Sequence, residues 1–258
     1  REHAHSDDAA GGIPAGRAGR GGRADDRHAR IPHLGSARLS GTAQARGLFI
    51  TVEGGEGAGK TTQIKALAGW LRGQGIDVVT TREPGGTPGA EAIRGLVLDG
   101  HVERWSGGVE ALLMTAARLD HVERLIAPAL AGGSWVLCDR YVDSTRVYQG
   151  IAGGIGLERI DALHALFLAA ATPDLTILLD VPVEHGLGRR AEAGGGSRFE
   201  AKGLAFHEQV RAGFLALARA EEARFLVIDA AVPADLVAAA VEAGVRRRLD
   251  RQLQAACR

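Results

Sequence analysis

The chain has no asparagine, only two cysteines, one methionine and three lysines, and few aromatic residues. Without asparagine, the N-K-x-D element by which switch GTPases read guanine cannot be written. Cys138 and Cys257 stand far apart with no C-x-x-C pair, which argues against a disulfide framework or a cysteine zinc site and suits a reducing cytosol. No apolar run approaches the roughly eighteen residues of a spanning helix, and the start lacks the apolar core of a secretory signal, so a soluble, cytoplasmic protein is expected. Nor is there an excess of charge: 31 Lys and Arg meet 31 Asp and Glu, so no net field favours wrapping nucleic acid or lying on a membrane. Any anion site must be local. Because Arg outnumbers Lys 28 to 3, a single Arg says little, whereas Lys60 carries weight.

Residues 1–46 are rich in Gly, Ala, Arg and Asp with scarcely an apolar cluster, a composition that cannot offset the entropy of ordering. They read as a disordered extension, and their five acidic residues and scattered glycines argue against an amphipathic transit helix. From Leu48 onward short apolar runs alternate with longer amphipathic stretches, the pattern of parallel strands joined by crossover helices. The expected class is α/β: about five strands, at 48–53, 77–81, 135–139, 175–180 and 224–229, with helices at 60–73, 89–98, 107–131, 157–171, 183–192, 202–222 and 233–250. The folded domain is expected over 47–250, with 251–258 as a tail. Three of those strands end in Asp and one in Glu. Ligands of open parallel sheets sit beyond the carboxyl ends of the strands, so these acids crowd the expected site.

Between the first strand and the first helix stands Gly54-Gly55-Glu56-Gly57-Ala58-Gly59-Lys60-Thr61, a match to G-x-x-x-x-G-K-[ST] in its required context. The glycines let the backbone curl into a nest of N–H donors, and the helix that follows adds the positive end of its dipole. Lys60 is placed to reach the β and γ phosphates of a nucleotide, and Thr61 to put its hydroxyl on Mg²⁺.

About 210 residues beyond the extension leave little room for the extra domains of motors or large ATPases, so a small phosphotransferase is expected. Phosphoryl transfer relies on positioning and on cations that neutralise the transferred group. The pair Asp139-Arg140, at the end of the third strand, would project into the crevice, Asp139 steering Mg²⁺ and Arg140 holding an acceptor phosphate. A salt-bridged surface pair is the bland reading. Asp180 is a competing strand-end carboxylate.

With TREPGG at 81–86, D-R-Y at 139–141 and YQG at 148–150 added to the loop, the chain resembles the bacterial thymidylate kinases from about Leu48 to Leu249. The resemblance implies the three-layer P-loop kinase fold with a small mobile lid, transfer from ATP to dTMP, and a homodimer. It further implies that Glu56 approaches the acceptor's sugar and that Arg94 and Arg140 bind its phosphate, with Arg82 and Glu83 on the same side. On residues alone, Arg94 and Glu91 would be an exposed helix pair. Met114 and Arg118 match base-binding positions, four apart on one helix face, while Ser144, Thr145, Tyr148 and Gln149 match the segment along the pyrimidine edge and sugar.

The segment 189–200 resembles the lid over ATP, with consecutive glycines as a hinge and Arg189, Arg190 and Arg198 as candidate catalytic cations. Arg198 is the favoured one. Two departures stand out: Met114 occupies a position that is usually Phe, and the lid reads A-E-A where extra arginines are common. They keep open a kinase for another nucleoside monophosphate and a binding module without turnover. His101, His121, His164, His185 and His207 show no metal-ligand spacing and are expected on surfaces or helix faces.

Overall fold

The computed structural model describes residues 46–168, 171–192, 194 and 198–256, the last eight by their backbone only. The expected disordered extension lies outside the described residues except for Arg46, whose guanidinium pairs with Asp174 at 2.8 Å. Asp174 also accepts the amide of Phe49 at 2.7 Å, which fixes the start of the first strand.

β1 (Phe49–Glu53) is buried at every position and lies at the centre of a five-stranded parallel sheet with β2 (Val78–Arg82), β3 (Trp135–Asp139), β4 (Leu175–Asp180) and β5 (Phe225–Asp229) in the order β2-β3-β1-β4-β5. A strand covered on both faces reads as an apolar run rather than an alternating one, which is why β1, β3 and β4 were visible, whereas the edge strands β2 and β5 are buried only in part. Their side chains still alternate between layers. Ile50 and Val52 face a cluster with Ile64, Leu71, Val241 and Val245, whereas Phe49 faces Ile126, Val136 and Tyr141. The first layer is formed by α1 (Lys60–Gly73) and α9 (Ala234–Ala256); α9 thus runs through most of the segment expected to be a tail.

The expected helix 107–131 is α3 (Gly107–His121), a π turn over Val122–Ile126 and α4 (Ala127–Ala131). The amide of Ala127 reaches back five residues to the Val122 carbonyl, and Pro128, with no N–H, cannot take up the i→i−4 ladder beside it. The stretch after Tyr141, where no helix was expected, forms α5 (Val142–Thr145) and a second π turn, Arg146–Ile151. The remaining helices are α2 (Pro88–Leu98), α6 (Leu157–Leu168), α7 (Val183–Glu192) and α8 (Leu204–Ala220). No helix among the described residues is long and apolar enough to cross a membrane.

β1 pairs with both β3 and β4, with Val52 opposite Asp139 and Glu53 opposite Leu178. The carboxyl ends of all three strands therefore open on one crevice, with the phosphate loop at its centre.

Candidate active site

The loop between β1 and α1 turns on glycines that nothing larger could replace. Gly54 (φ 142°) and Gly57 (φ 66°) take conformations that L side chains avoid. A Cβ at Gly57 would stand 1.8 Å from the Gly186 carbonyl oxygen, and one at Gly54 would stand 2.5 Å from that of Leu179. At the start of α1 the cap residue is Gly59, and no side chain caps the helix. Its first N–H groups are thus left to an outside acceptor, which is what an anion needs at a helix N-terminus. Lys60 Nζ donates to the carbonyls of Gly54 at 3.1 Å and Gly55 at 2.8 Å. Burial, then the nearby Arg140, lower its ammonium to about 8.

Two strands could have supplied the carboxylate beside this loop, and the geometry separates them. Thr61 Oγ1 donates to Asp139 Oδ2 at 2.9 Å, whereas Asp180 is held by Arg211 at 2.7 and 3.0 Å. Among the described residues there is no cluster of three or more His, Cys, Asp or Glu fit to hold a metal. Thr61 and Asp139 offer adjacent oxygen donors of the kind Mg²⁺ takes when phosphate and water fill the rest of its shell.

Asp139 and Arg140 do not form the surface pair of the bland reading. Arg140 has φ 66°, the one left-handed residue other than glycine among those described, and that turn sends its guanidinium back over the loop. It donates to Glu56 Oε1 at 2.8 Å, to the Gly54 carbonyl at 3.1 Å and to Ser144 Oγ at 3.2 Å. Tyr148 Oη donates to the same Glu56 oxygen at 2.9 Å. Burial pushes the Glu56 carboxyl up, but Arg140, Lys60 and Tyr148 outweigh it and hold the group at about 2. Beneath them Glu53 accepts the Tyr141 amide at 2.7 Å and the Ser144 hydroxyl at 2.6 Å. Its own carboxyl is pushed up to about 7, by burial first and by Asp143 second.

Across the crevice stands a wall of buried charge. Arg118 Nε donates to Glu83 Oε2 at 2.7 Å, and its Nη2 to Thr145 Oγ1 at 3.0 Å. The other Glu83 oxygen meets His121 Nδ1 at 3.0 Å, and His121 Nε2 lies 2.7 Å from Thr81 Oγ1. His121, on α3, and His207, on α8, take the helix-face place of the two expected, turned inward and buried. Arg94 does not pair with Glu91. It donates to the Pro84 carbonyl at 2.6 Å, while Glu91 takes Arg82 at 3.1 Å and the Gly86 amide at 2.9 Å.

One cavity of about 650 Å³ runs between loop and wall. Every expected site residue lines it except Gly54, Gly55 and Arg198, and Met114 is on its wall beside Arg118, Tyr148 and Gln149. Gly54 and Gly55 border a small void of about 20 Å³ behind the loop instead. Arg189 and Arg190 reach the cavity, the latter donating to Glu200 Oε1 at 2.9 Å. Arg198, the favoured catalytic cation, is only 3 % exposed and does not line the cavity. Its three nitrogens are taken by the carbonyls of Val97 and Val102 and by Glu110. Residues 193 and 195–197 of the expected lid lie outside the described residues.

A five-stranded parallel sheet in the order 2-3-1-4-5, with a phosphate loop after its central strand, defines the P-loop kinase fold. The family model described as thymidylate kinase matches residues 52–241. The thymidylate kinase of Caulobacter vibrioides is 55 % identical over 204 residues, 79 % of this chain and 98 % of that protein. The one from Rhizorhabdus wittichii is 52 % identical over 200 residues, 76 % of this chain and 96 % of that one. The crystal structure of thymidylate kinase from Ehrlichia chaffeensis superposes with a TM-score of 0.65 at 32 % identity, covering 78 % of this chain and 99 % of its own. This chain belongs to the thymidylate kinase family.

Proposed function

We propose that this chain transfers the γ-phosphoryl group of ATP to dTMP, giving dTDP and ADP. The observation that carries this reading is the Glu56–Arg140 contact of 2.8 Å, which ties the donor loop to the acceptor wall inside one cavity. A phosphate oxygen of dTMP attacks the γ phosphorus while the bridging oxygen to ADP leaves, so the enzyme must align two polyanions and neutralise the group between them.

Loop amides, the uncapped start of α1 and Lys60 bind the donor phosphates. Arg140 and Arg94, which line the same cavity, bind the acceptor phosphate, with Arg82 on that lining too. Glu56, kept ionised and pinned by Arg140 and Tyr148, is an acceptor for a sugar hydroxyl. Glu83, Ser144 and Thr145 shape the acceptor side, and Arg118, Gln149 and Met114 line the place for the base. Thr61 and Asp139 are the residues that would hold Mg²⁺, which would help neutralise charge on the donor phosphates. Arg189 and Arg190, which reach the cavity, replace Arg198 as the lid cations nearest the donor.

Leu96, Leu112, Leu166 and Phe167 are exposed on α2, α3 and α6, which supports a homodimer formed through those helices. The phosphotransfer itself, in a cytoplasmic setting, is tested by coupled ADP release from Mg²⁺ and ATP with and without dTMP. Release that depends on dTMP is expected. Nucleotide retention without turnover would leave a binding module instead.

A further inference from the structure

Arg198 is buried, and so is each side chain in the path it begins. Glu110, in the first turn of α3, is 4 % exposed and takes Arg198 Nη2 on one oxygen. Its other oxygen accepts Gln149 Nε2 at 3.0 Å, and Gln149 is 1 % exposed in the π turn that lines the cavity. Arg198 Nε and Nη1 hold the carbonyls of Val97 and Val102, at the end of α2 and in the turn beyond it, at 2.5 and 2.7 Å. A guanidinium with three directed acceptors in a dry site is a rigid joint, since removing one partner strands the others without water.

The two neighbours of Arg198 face elsewhere. Phe199 lines the cavity edge-on to Tyr148, with ring centroids 6.0 Å apart. Glu200 accepts Arg190 Nε at 2.9 Å, and both line the donor end. The tripeptide therefore touches the acceptor side through Glu110 and Gln149 and the donor side through Arg190.

We propose that Arg198 is a positioning residue, and that the buried path Gln149–Glu110–Arg198 couples the filling of the acceptor-base pocket to the placement of the Arg190–Glu200 pair on the cavity wall. The inference rests on the proposed dTMP kinase reading. Gln149 held by a bound base fixes Glu110, and Glu110 fixes Arg198, so the turn that carries Glu200, and with it the partner Arg190, is set before transfer. Coupling of this kind is reciprocal: dTMP must tighten donor binding by the same factor by which the donor tightens dTMP.

The test uses the full chain and calorimetric Kd values for a non-hydrolysable ATP analogue with Mg²⁺, measured with and without saturating dTMP. In the parent, dTMP should tighten the analogue by about fivefold or more. Glu110→Gln, which keeps shape but turns one of the two accepting oxygens into a donor and so breaks the path at one partner, and Arg198→Lys, which keeps charge but loses the fork, should each reduce that factor to below about twofold while the analogue alone binds as before. A parent without coupling, or variants that retain it within twofold, overturns the proposal. So does a fall in kcat with coupling intact, the signature of a cation acting on the transferred group. If Arg198→Lys does not fold, Glu110→Gln decides alone. A parent that binds the analogue but no dTMP refutes the functional reading instead.

Discussion

The two sides of the cavity are built on different principles. The donor side is one continuous stretch, 54–61, whose work is done by backbone amides and by glycines that allow close approach. Its side-chain contacts are few: Lys60 on loop carbonyls, Thr61 on Asp139, and Glu56 reaching across to Arg140 and Tyr148. The acceptor side is assembled from Glu83, Arg118, His121 and Thr145, brought from widely separated segments into a buried network. A backbone site loses rate when its cation is removed, whereas a buried ion network loses its fold as well.

The sharpest way to break that contrast is Glu83→Ala, which leaves Arg118 buried without its carboxylate. Chemical unfolding should show a loss of about 3 to 5 kcal/mol, together with loss of acceptor binding. A variant as stable as the parent would mean that the wall is not held by this pair. On the donor side, Lys60→Met should lower kcat by about 10² to 10³ with no drop in thermal stability, because it removes a buried cation whose charged form the fold already disfavours. Concurrent unfolding would erase the distinction.

A third effect, on the order of 2 kcal/mol, lies under the junction of the two sides. Glu53 has its carboxyl raised to about 7, above its unfolded value, so its protonation stabilises the fold below about pH 4.5, and that contribution is lost as pH rises through 7. Glu53→Gln cannot titrate. Its stability relative to the parent should therefore improve between pH 5 and pH 8; a difference independent of pH would show that Glu53 stays ionised throughout. The smallest effect is expected at Met114→Phe. An aromatic face under a base is worth roughly 1 to 3 kcal/mol, and methionine returns about 0.3 to 1.5 of it. The variant should lower KM for dTMP by less than about tenfold, and an unchanged or raised KM would rule out stacking there.

The same contrast decides what the sequence made legible. All five strands and α1 stood within a residue or so of their places: the buried inner strands read as apolar runs, the two edge strands as short β-branched or apolar segments, and α1 follows its loop directly. The donor side was legible almost whole, since a contiguous motif carries its own geometry. For the opposite wall the family resemblance named residues that line one cavity, but not their internal partners. Nothing near His121 in the chain announces Glu83, 38 residues away, and no periodicity distinguishes a π turn at 146–151 from a loop or a helix start. Arg198 was misplaced for the same reason. Its acceptors lie at 97, 102 and 110, so the sequence shows a free lid arginine where the fold makes a buried joint.

The central claim is that this cavity holds ATP against a thymine-bearing monophosphate. The most direct measurement is kcat/KM of the purified chain for dTMP, dUMP, UMP and CMP under identical Mg²⁺ and ATP. The account predicts dTMP to lead, by about tenfold or more over dUMP, which lacks only the methyl group. A ribonucleotide such as UMP or CMP matching or exceeding dTMP would contradict it.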